Sequence, residues 1–136
     1  MSRPLKFRVW DKKRGNFLHN LEQMWDLVIA DGELSFLGGD RLDDNFVVQQ
    51  STGLSDKDRK DIYEGDILKY ESLIDGTVCD IKGEVFYDYA SFLLRARGTV
   101  GCTDKVYEEV ERLGATNLLD YVIIGNIFEN EELLKL

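Results

Sequence analysis

Between Ser51 and Ile67 the chain reads STGLSDKDRKDIYEGDI, its densest run of side chains able to do chemistry. Asp56, Asp58 and Lys60 stand at alternate positions, the spacing of the first ligands in a calcium-binding loop. Such a loop needs an oxygen donor at the third of these positions and a glycine directly after it. Here those places hold Lys60 and Asp61, and a lysine would bring positive charge to the ligand centre. The pattern excludes calcium. Magnesium is a looser test, because it needs only one or two carboxylates plus water and phosphate. Asp40, Asp43, Asp44, Asp61, Glu64 and Asp66 could supply them, so a metal-dependent nuclease or hydrolase built on Asp61, Glu64 and Asp66 is one reading of these acids. The other is that turn carboxylates are ordinary in a chain with 26 acidic residues.

Other chemistries lack their parts. The single histidine, His19, follows Phe17-Leu18 and reads as a strand-face residue; with Cys79 and Cys102 it does not make a zinc set. The two cysteines share no C-x-x-C spacing and read as free thiols of a reducing compartment. No G-x-S-x-G elbow, phosphate-binding G-x-x-x-x-G-K-[ST] loop or G-x-G-x-x-G turn occurs. No catalytic, cofactor-binding or metal-ligating residue is assigned, and no cofactor is expected. The surface candidates are Asp61, Tyr63, Glu64 and Asp66 in the acidic stretch, with Arg95 and Arg97 on a later strand. Those arginines, with Tyr63, Tyr70, Tyr87, Tyr89 and Tyr107, would suit a binder of single-stranded nucleic acid. The net charge of −9 disfavours that reading, and aromatic residues are common in small β cores.

The charge is uneven. Residues 1–14 carry six bases against one acid, leaving the remainder strongly acidic. A basic edge of this kind either blocks aggregation as a solvated strand or meets the acidic face of another copy. Self-association is the expectation, with another protein as a further partner. The opening MSRPLKFRVW has no apolar signal-peptide core, and no apolar run reaches the ~20 residues of a membrane helix. A cytoplasmic protein with no membrane partner is expected.

The elements that must position these residues read as mainly β. Lys6 to Trp10 alternates, Lys12 to Asn16 is a turn, and Phe17 to Leu21 continues as a strand. Leu27–Ala30 and Glu33–Leu37 flank Asp31-Gly32, a strong hairpin signal because both turn positions favour positive φ. Phe46–Gln50 is a short strand, and Asp66–Tyr70 starts another. Cys79–Tyr87 places Cys79, Ile81, Val85 and Tyr87 on one face, with Gly83 read as a bulge or bend. Ser91–Arg97 follows a turn at Asp88-Tyr89-Ala90. Thr103, Val106, Val110, Leu113 and Gly114 predict a capped helix. Tyr121–Ile124, apolar on both faces, predicts a central buried strand. Asn130 predicts the cap of a last short helix carrying Glu131 and Glu132 in its first turn, docked by Leu133, Leu134 and Leu136.

Three separated stretches resemble the YopX family of phage and prophage proteins. They are KFRVWDKK (residues 6–13), STGLSDKDRKDIYEGDILKY (51–70) and VIIGNIFENEELL (122–134), in the family's order and spacing. The family often carries an asparagine-glycine pair in the turn before Tyr63, where this chain has Asp58-Arg59-Lys60-Asp61. Glu131 stands where the family usually has proline. The resemblance implies a β-rich fold and no known catalytic residue, so none is carried over. The expectation is one domain over residues 1–136, mainly β with two short helices. It would combine an N-terminal β-hairpin region (1–50) with an SH3-like or pseudo-barrel core (51–136). The expected role is a non-enzymatic, phage-encoded accessory protein for binding or assembly.

Overall fold

The computed structural model describes residues 6–18, 27–30, 33–36, 45–74, 76–88, 91–99, 106–113 and 121–134. His19, Asp40, Asp43, Asp44, Tyr89, Cys102, Thr103, Gly114 and Leu136 lie outside them. The chain resolves into two compact units, Lys6–Gln49 and Gln50–Leu136.

In the first unit, β1 (Phe7–Asp11) lies between β2 (Asn16–Phe17) and β5 (Phe46–Ser55), whose first four residues belong here. Alternation along β1 is only partly kept, since Val9, Trp10 and Asp11 are all buried. Trp10 meets Phe17 edge-on at 4.9 Å, and the Arg8 guanidinium sits 4.5 Å over the same ring. Arg8 Nε also donates to Gln49 Oε1 at 2.8 Å, which satisfies a buried amide. The expected hairpin strands are present as β3 (Leu27–Ala30) and β4 (Glu33–Phe36), paired antiparallel with Ala30 opposite Glu33, and the Asp31-Gly32 expectation lies outside the described residues.

In the second unit, the rest of β5 pairs with β6 (Asp61–Tyr63), and an antiparallel sheet runs in the order β10-β9-β8-β7-β11. Its strands are β7 (Asp66–Ile74), β8 (Thr77–Asp88), β9 (Ser91–Thr99), β10 (Val106–Arg112) and β11 (Val122–Asn126). Alternation does its expected work on β8: Cys79, Ile81 and Val85 are buried and join Ile62, Leu68, Tyr70, Leu94, Ala96, Leu113 and Tyr121 in one core. The sheet curls around that core, as one hydrogen bond shows. Tyr70 on β7 and Glu111 on β10 are three strand spacings apart, about 14 Å in a flat sheet. Yet the Tyr70 hydroxyl donates to Glu111 Oε2 at 2.8 Å, so the sheet bends into a half-barrel.

Four expectations need correction. The predicted helix over Val106–Leu113 is strand β10, paired with β9 without interruption from Val106↔Thr99 to Arg112↔Leu93. A spacing of four between Val106 and Val110 fits both a helical and a strand face, and pairing with β9 decides for the strand. The last helix is a single 3-10 turn, Glu131–Leu134, so no α-helix occurs among the described residues. Of the two readings of Gly83, a bulge or a bend, the bulge is excluded, since the ladder runs evenly through Leu68↔Gly83↔Ala96; a Cβ there would lie 2.8 Å from the Leu94 side chain. Strand β11 is an edge of the sheet, and its Val122, Ile123 and Ile124 are half-buried. Its apolarity matches the loop lying along its outer side, described next.

Candidate functional site

The acidic stretch between β5 and β7 is organised by its carboxylates. Asp56 is buried at the end of β5. Its Oδ1 accepts the amides of Asp58 and Lys60, both at 2.9 Å, and its Oδ2 accepts the amide of Ile123 at 3.2 Å. The loop is also tied by its own backbone: Asp56 N–H donates to Lys60 O at 2.9 Å, and Lys57 N–H to Tyr121 O at 2.9 Å. A loop of the acidic stretch thus covers the outer edge of β11. Burial pushes the Asp56 carboxyl up, but the amides of Lys60, Ile123 and Asp58 and the Lys60 charge outweigh it. They hold the group below the ordinary 3.8. Arg59 completes the turn at φ 64, in the left-handed region that glycine and asparagine adopt with less strain than arginine.

The next turn, Tyr63-Glu64-Gly65-Asp66, joins β6 to β7. Gly65 takes φ 86, which a side chain would resist. Asp66 is buried and its Oδ2 accepts the Tyr63 amide at 2.8 Å. Glu64 reaches back to β5, where its Oε1 accepts the Gln50 amide at 2.8 Å while its own amide donates to Gln50 O at 3.0 Å. Tyr63, Glu64 and Asp66 therefore share one turn and support it. Asp61, half-buried on β6, stands opposite Ser55. Among the described residues no group of three or more His, Cys, Asp or Glu side chains could hold a metal ion.

Arg95 and Arg97 share one face of β9, and both meet glutamates across the ladder. Arg95 lies 3.5 Å from Glu84 and stacks at 4.5 Å over Phe86. Arg97 is 2.6 Å from Glu108, and its Nη1 donates to Leu134 O at 3.5 Å, pinning the 3-10 turn. These pairs offset the positive charge that a nucleic-acid surface would need. A groove of about 500 Å³ runs past Arg95, Ala96, Arg97, Glu108, Glu109 and Val110, and none of Asp61, Tyr63, Glu64 and Asp66 lines it.

Two features escape residue-by-residue reading. Asn126 closes the turn that follows β11: its Oδ1 accepts the amides of Phe128 and Glu129, both at 3.0 Å. Asn130, expected to cap a helix ahead of it, turns back instead and accepts the Asn126 amide at 3.3 Å. That approach needs Gly125, where a Cβ would meet Asn130 Oδ1 at 2.5 Å. The signal available was the Gly-Asn pair itself, a turn dipeptide. The second feature is a cleft of about 450 Å³ lined by Gln50, Thr52, Leu54, Tyr87, Ser91, Phe92, Arg112 and Leu113. Tyr87, 55% exposed, leans edge-on against Phe92 at 5.1 Å. Arg112 is exposed at its rim.

The first unit repeats the device. Asp11 Oδ1 accepts the amides of Lys13 at 3.0 Å and Arg14 at 3.2 Å, together with Asn45 Nδ2 at 2.9 Å. The Asn45 bond chiefly holds the carboxyl below its ordinary value against the opposing effect of burial. So each of the three resembling stretches carries a turn locked by a short acid or amide. A family model described as YopX protein matches residues 6–135. The chain belongs to the YopX family. A crystal structure of protein EF1440 from Enterococcus faecalis is similar at 27% identity and a TM-score of 0.51, covering 98% of this chain and 100% of that one. No curated protein matches the chain. The locked turns thus span the region that the family model covers, at residues 11–14, 56–66 and 126–130.

Proposed function

We propose that the chain is a phage- or prophage-encoded accessory protein that acts by binding, as a recognition or assembly module in the host cytoplasm. The reading includes an SH3-like barrel architecture for residues 51–136 and self-association. The observation that carries it is the cleft beside Tyr87. A tyrosine ring is held half-open by edge contact with Phe92, over Leu54 and Leu113, with a cation at the rim and the polar groups of Gln50 and Ser91 alongside. Leu54, Phe92 and Leu113 offer apolar contact and Gln50, Thr52, Ser91 and Arg112 polar contact, a mixed lining suited to recognising a polar partner. Of the acids that a catalytic reading would use, Asp66 accepts the Tyr63 amide of its own turn and Glu64 the Gln50 amide of β5, which supports a structural role for these two.

Affinity capture from induced or infected cells, with wild type and the Tyr87→Asp and Arg112→Glu variants side by side, tests the reading. A partner retained by wild type and lost by both variants, at unchanged melting temperature, is the expected result. Magnesium- or manganese-dependent turnover of a nucleic-acid substrate, abolished by Glu64→Gln in a folded protein, would overturn it. Light scattering at micromolar concentration checks self-association.

A further inference from the structure

Pairing across the second unit's sheet sets three cations in one row. Lys69 on β7 stands opposite Lys82 on β8, and Lys82 stands opposite Arg97 on β9. Neighbouring strands lie about 4.8 Å apart, and like charges directly opposite one another destabilise a sheet. Arg97 meets Glu108 across the next pairing. Lys69 and Lys82 have no such relief: among the described residues no hydrogen bond or ion pair engages either side chain. On the same face Glu71 stands opposite Asp80, and Glu84 pairs with Arg95. Had Lys69 and Glu71 changed places, both pairings would join opposite charges. A pattern that forgoes this stability points to a use beyond the fold.

The row continues into a groove of about 570 Å³, lined among the described residues by Lys57, Lys69, Tyr70, Glu71, Val122 and Ile124. Val122 stands opposite Lys69, and the Lys57 amide donates to Tyr121 O at 2.9 Å, which holds Lys57 beside β11. Among the described residues the Lys57 side chain also has no partner. Lys57 and Lys69 are exposed, while Lys82, Val122 and Ile124 are half-buried. Free cations beside apolar side chains thus stand out on a chain of net charge −9. Glu71 lines the groove as well, so acids separated by apolar residues fit it better than an unbroken acidic run. Nucleic acid fits poorly, because single-strand binding relies on stacking rings. Here the Tyr70 ring packs in the core against Tyr121, and Phe86 lies under Arg95.

We infer that this face of β7, β8 and β11 is a docking surface for an extended segment of a partner protein in which acidic and apolar residues alternate. Its carboxylates meet Lys57, Lys69 and Lys82, and its apolar side chains rest on Val122 and Ile124. Opposite charge supplies steering and register, and it relieves the like-charge pairing that the fold leaves open. By strand alternation this surface is on the opposite face of β8 from Tyr87, and either site can fail without the other.

The test uses the full chain and a short fluorescent peptide of alternating glutamate and leucine. The expected result is saturable binding that weakens with salt. K57E/K69E should bind about tenfold or more weaker. K12E/K13E makes the same change in net charge at exposed positions of the first unit and should bind as wild type does. Lys69→Glu alone should weaken binding yet leave the melting temperature unchanged or raised, since it sets opposite charges across from Lys82. Lys82→Gln should weaken binding as well, and it decides the matter if K57E/K69E fails to fold. Absence of binding to folded wild type, or equal weakening in the two double variants, would overturn the inference. So would tighter binding of a single-stranded oligonucleotide at the same lysines. A dimer in light scattering that K57E/K69E dissociates would overturn it too, since a second copy would then be the occupant.

Discussion

The carboxylate of Asp56 accepts the amide of Ile123, 67 residues further along the chain, at 3.2 Å. One side chain thus does two jobs, closing its own loop through Asp58 and Lys60 and fastening that loop over the edge of β11. A short acid suits this because two oxygens on one carbon can take several amides at once, and bonds to an ionised acceptor are stronger than neutral ones. Asp11 and Asn126 use the same economy of reach within their turns. The acidic residues that first suggest catalysis are, where the contacts are seen, the fasteners of the fold.

Asp56→Ala should therefore be among the more damaging single changes in the chain. It strands three amides that now share a charged acceptor, and a loss of about 3 kcal/mol is expected. Asp56→Asn keeps one oxygen for Asp58 and Lys60 but turns an NH2 toward Ile123, so about 1–2 kcal/mol is expected. Urea unfolding followed by circular dichroism measures both. Near-equal stability of wild type and Asp56→Ala would show that the loop does not depend on this carboxylate.

The same bonds set an acid limit. The folded carboxyls of Asp56 and Asp11 both titrate below the ordinary value of 3.8. A depressed folded pKa gives stability that is complete above the unfolded pKa and lost as pH falls through the folded one. The melting temperature should consequently hold its contribution from these two groups down to about pH 5 and lose it progressively below pH 4. In Asp56→Asn the starting stability is lower, but the fall on acidification should be shallower. Parallel acid slopes for the two proteins would contradict the assignment.

Arg59 carries the reverse expectation. Its φ of 64 places a long side chain in the left-handed region, at an exposed loop position. Asparagine tolerates that region better, so Arg59→Asn should stabilise the protein by about 0.5–1 kcal/mol. Arg59→Gly relieves the same strain but frees the unfolded chain, so its gain should be smaller. Melting temperatures of the three proteins, ranked Asn, Gly, Arg, check it. An unchanged or lowered melting temperature for Arg59→Asn would count against strain at this turn.

Tyr70 tests the curl of the sheet. Its ring stays in the core in Tyr70→Phe, with edge-on contact to Tyr121 at 5.1 Å, while the hydroxyl bond to Glu111 is lost. A destabilisation of about 1–1.5 kcal/mol is expected, at unchanged denaturant m-value. Glu111→Gln, which keeps an acceptor, should cost less. A Tyr70→Phe protein as stable as wild type would mean that the curl is held by packing alone.

What the residues disclosed and what they hid follows from the range of the forces involved. Alternation on β8 was legible because Cys79, Ile81 and Val85 face one core. The pairing of β3 with β4 was legible because the two apolar strands lie close together in the sequence. The spacing of Val106 and Val110 was ambiguous in itself, and what resolves it lies far off in sequence, in the pairing of Glu108 with Arg97 and of Glu111 with Tyr70. Likewise Tyr121–Ile124 reads as a central strand because apolarity signals burial without saying by what; here a loop lies over one side of the strand. Asp56 was visible as a turn acid, yet nothing near it in the chain points to Ile123. The cleft beside Tyr87 was hidden for the same reason: Leu54, Phe92 and Leu113 come together only through the fold.

The closing stretch offers the sharpest test of a local contact. A Cβ at Gly125 would lie 2.5 Å from Asn130 Oδ1 and 2.7 Å from its Cγ, so Gly125→Ala must displace the side chain that receives the Asn126 amide. A loss of about 2 kcal/mol is expected for Gly125→Ala and about 1 kcal/mol for Asn130→Ala. In the double variant the methyl group no longer has anything to strike, so its loss should fall short of the two single losses together by about 1 kcal/mol. Denaturant midpoints for the four proteins close the cycle. Strict additivity would mean that the glycine serves the backbone there, and that its closeness to Asn130 is incidental.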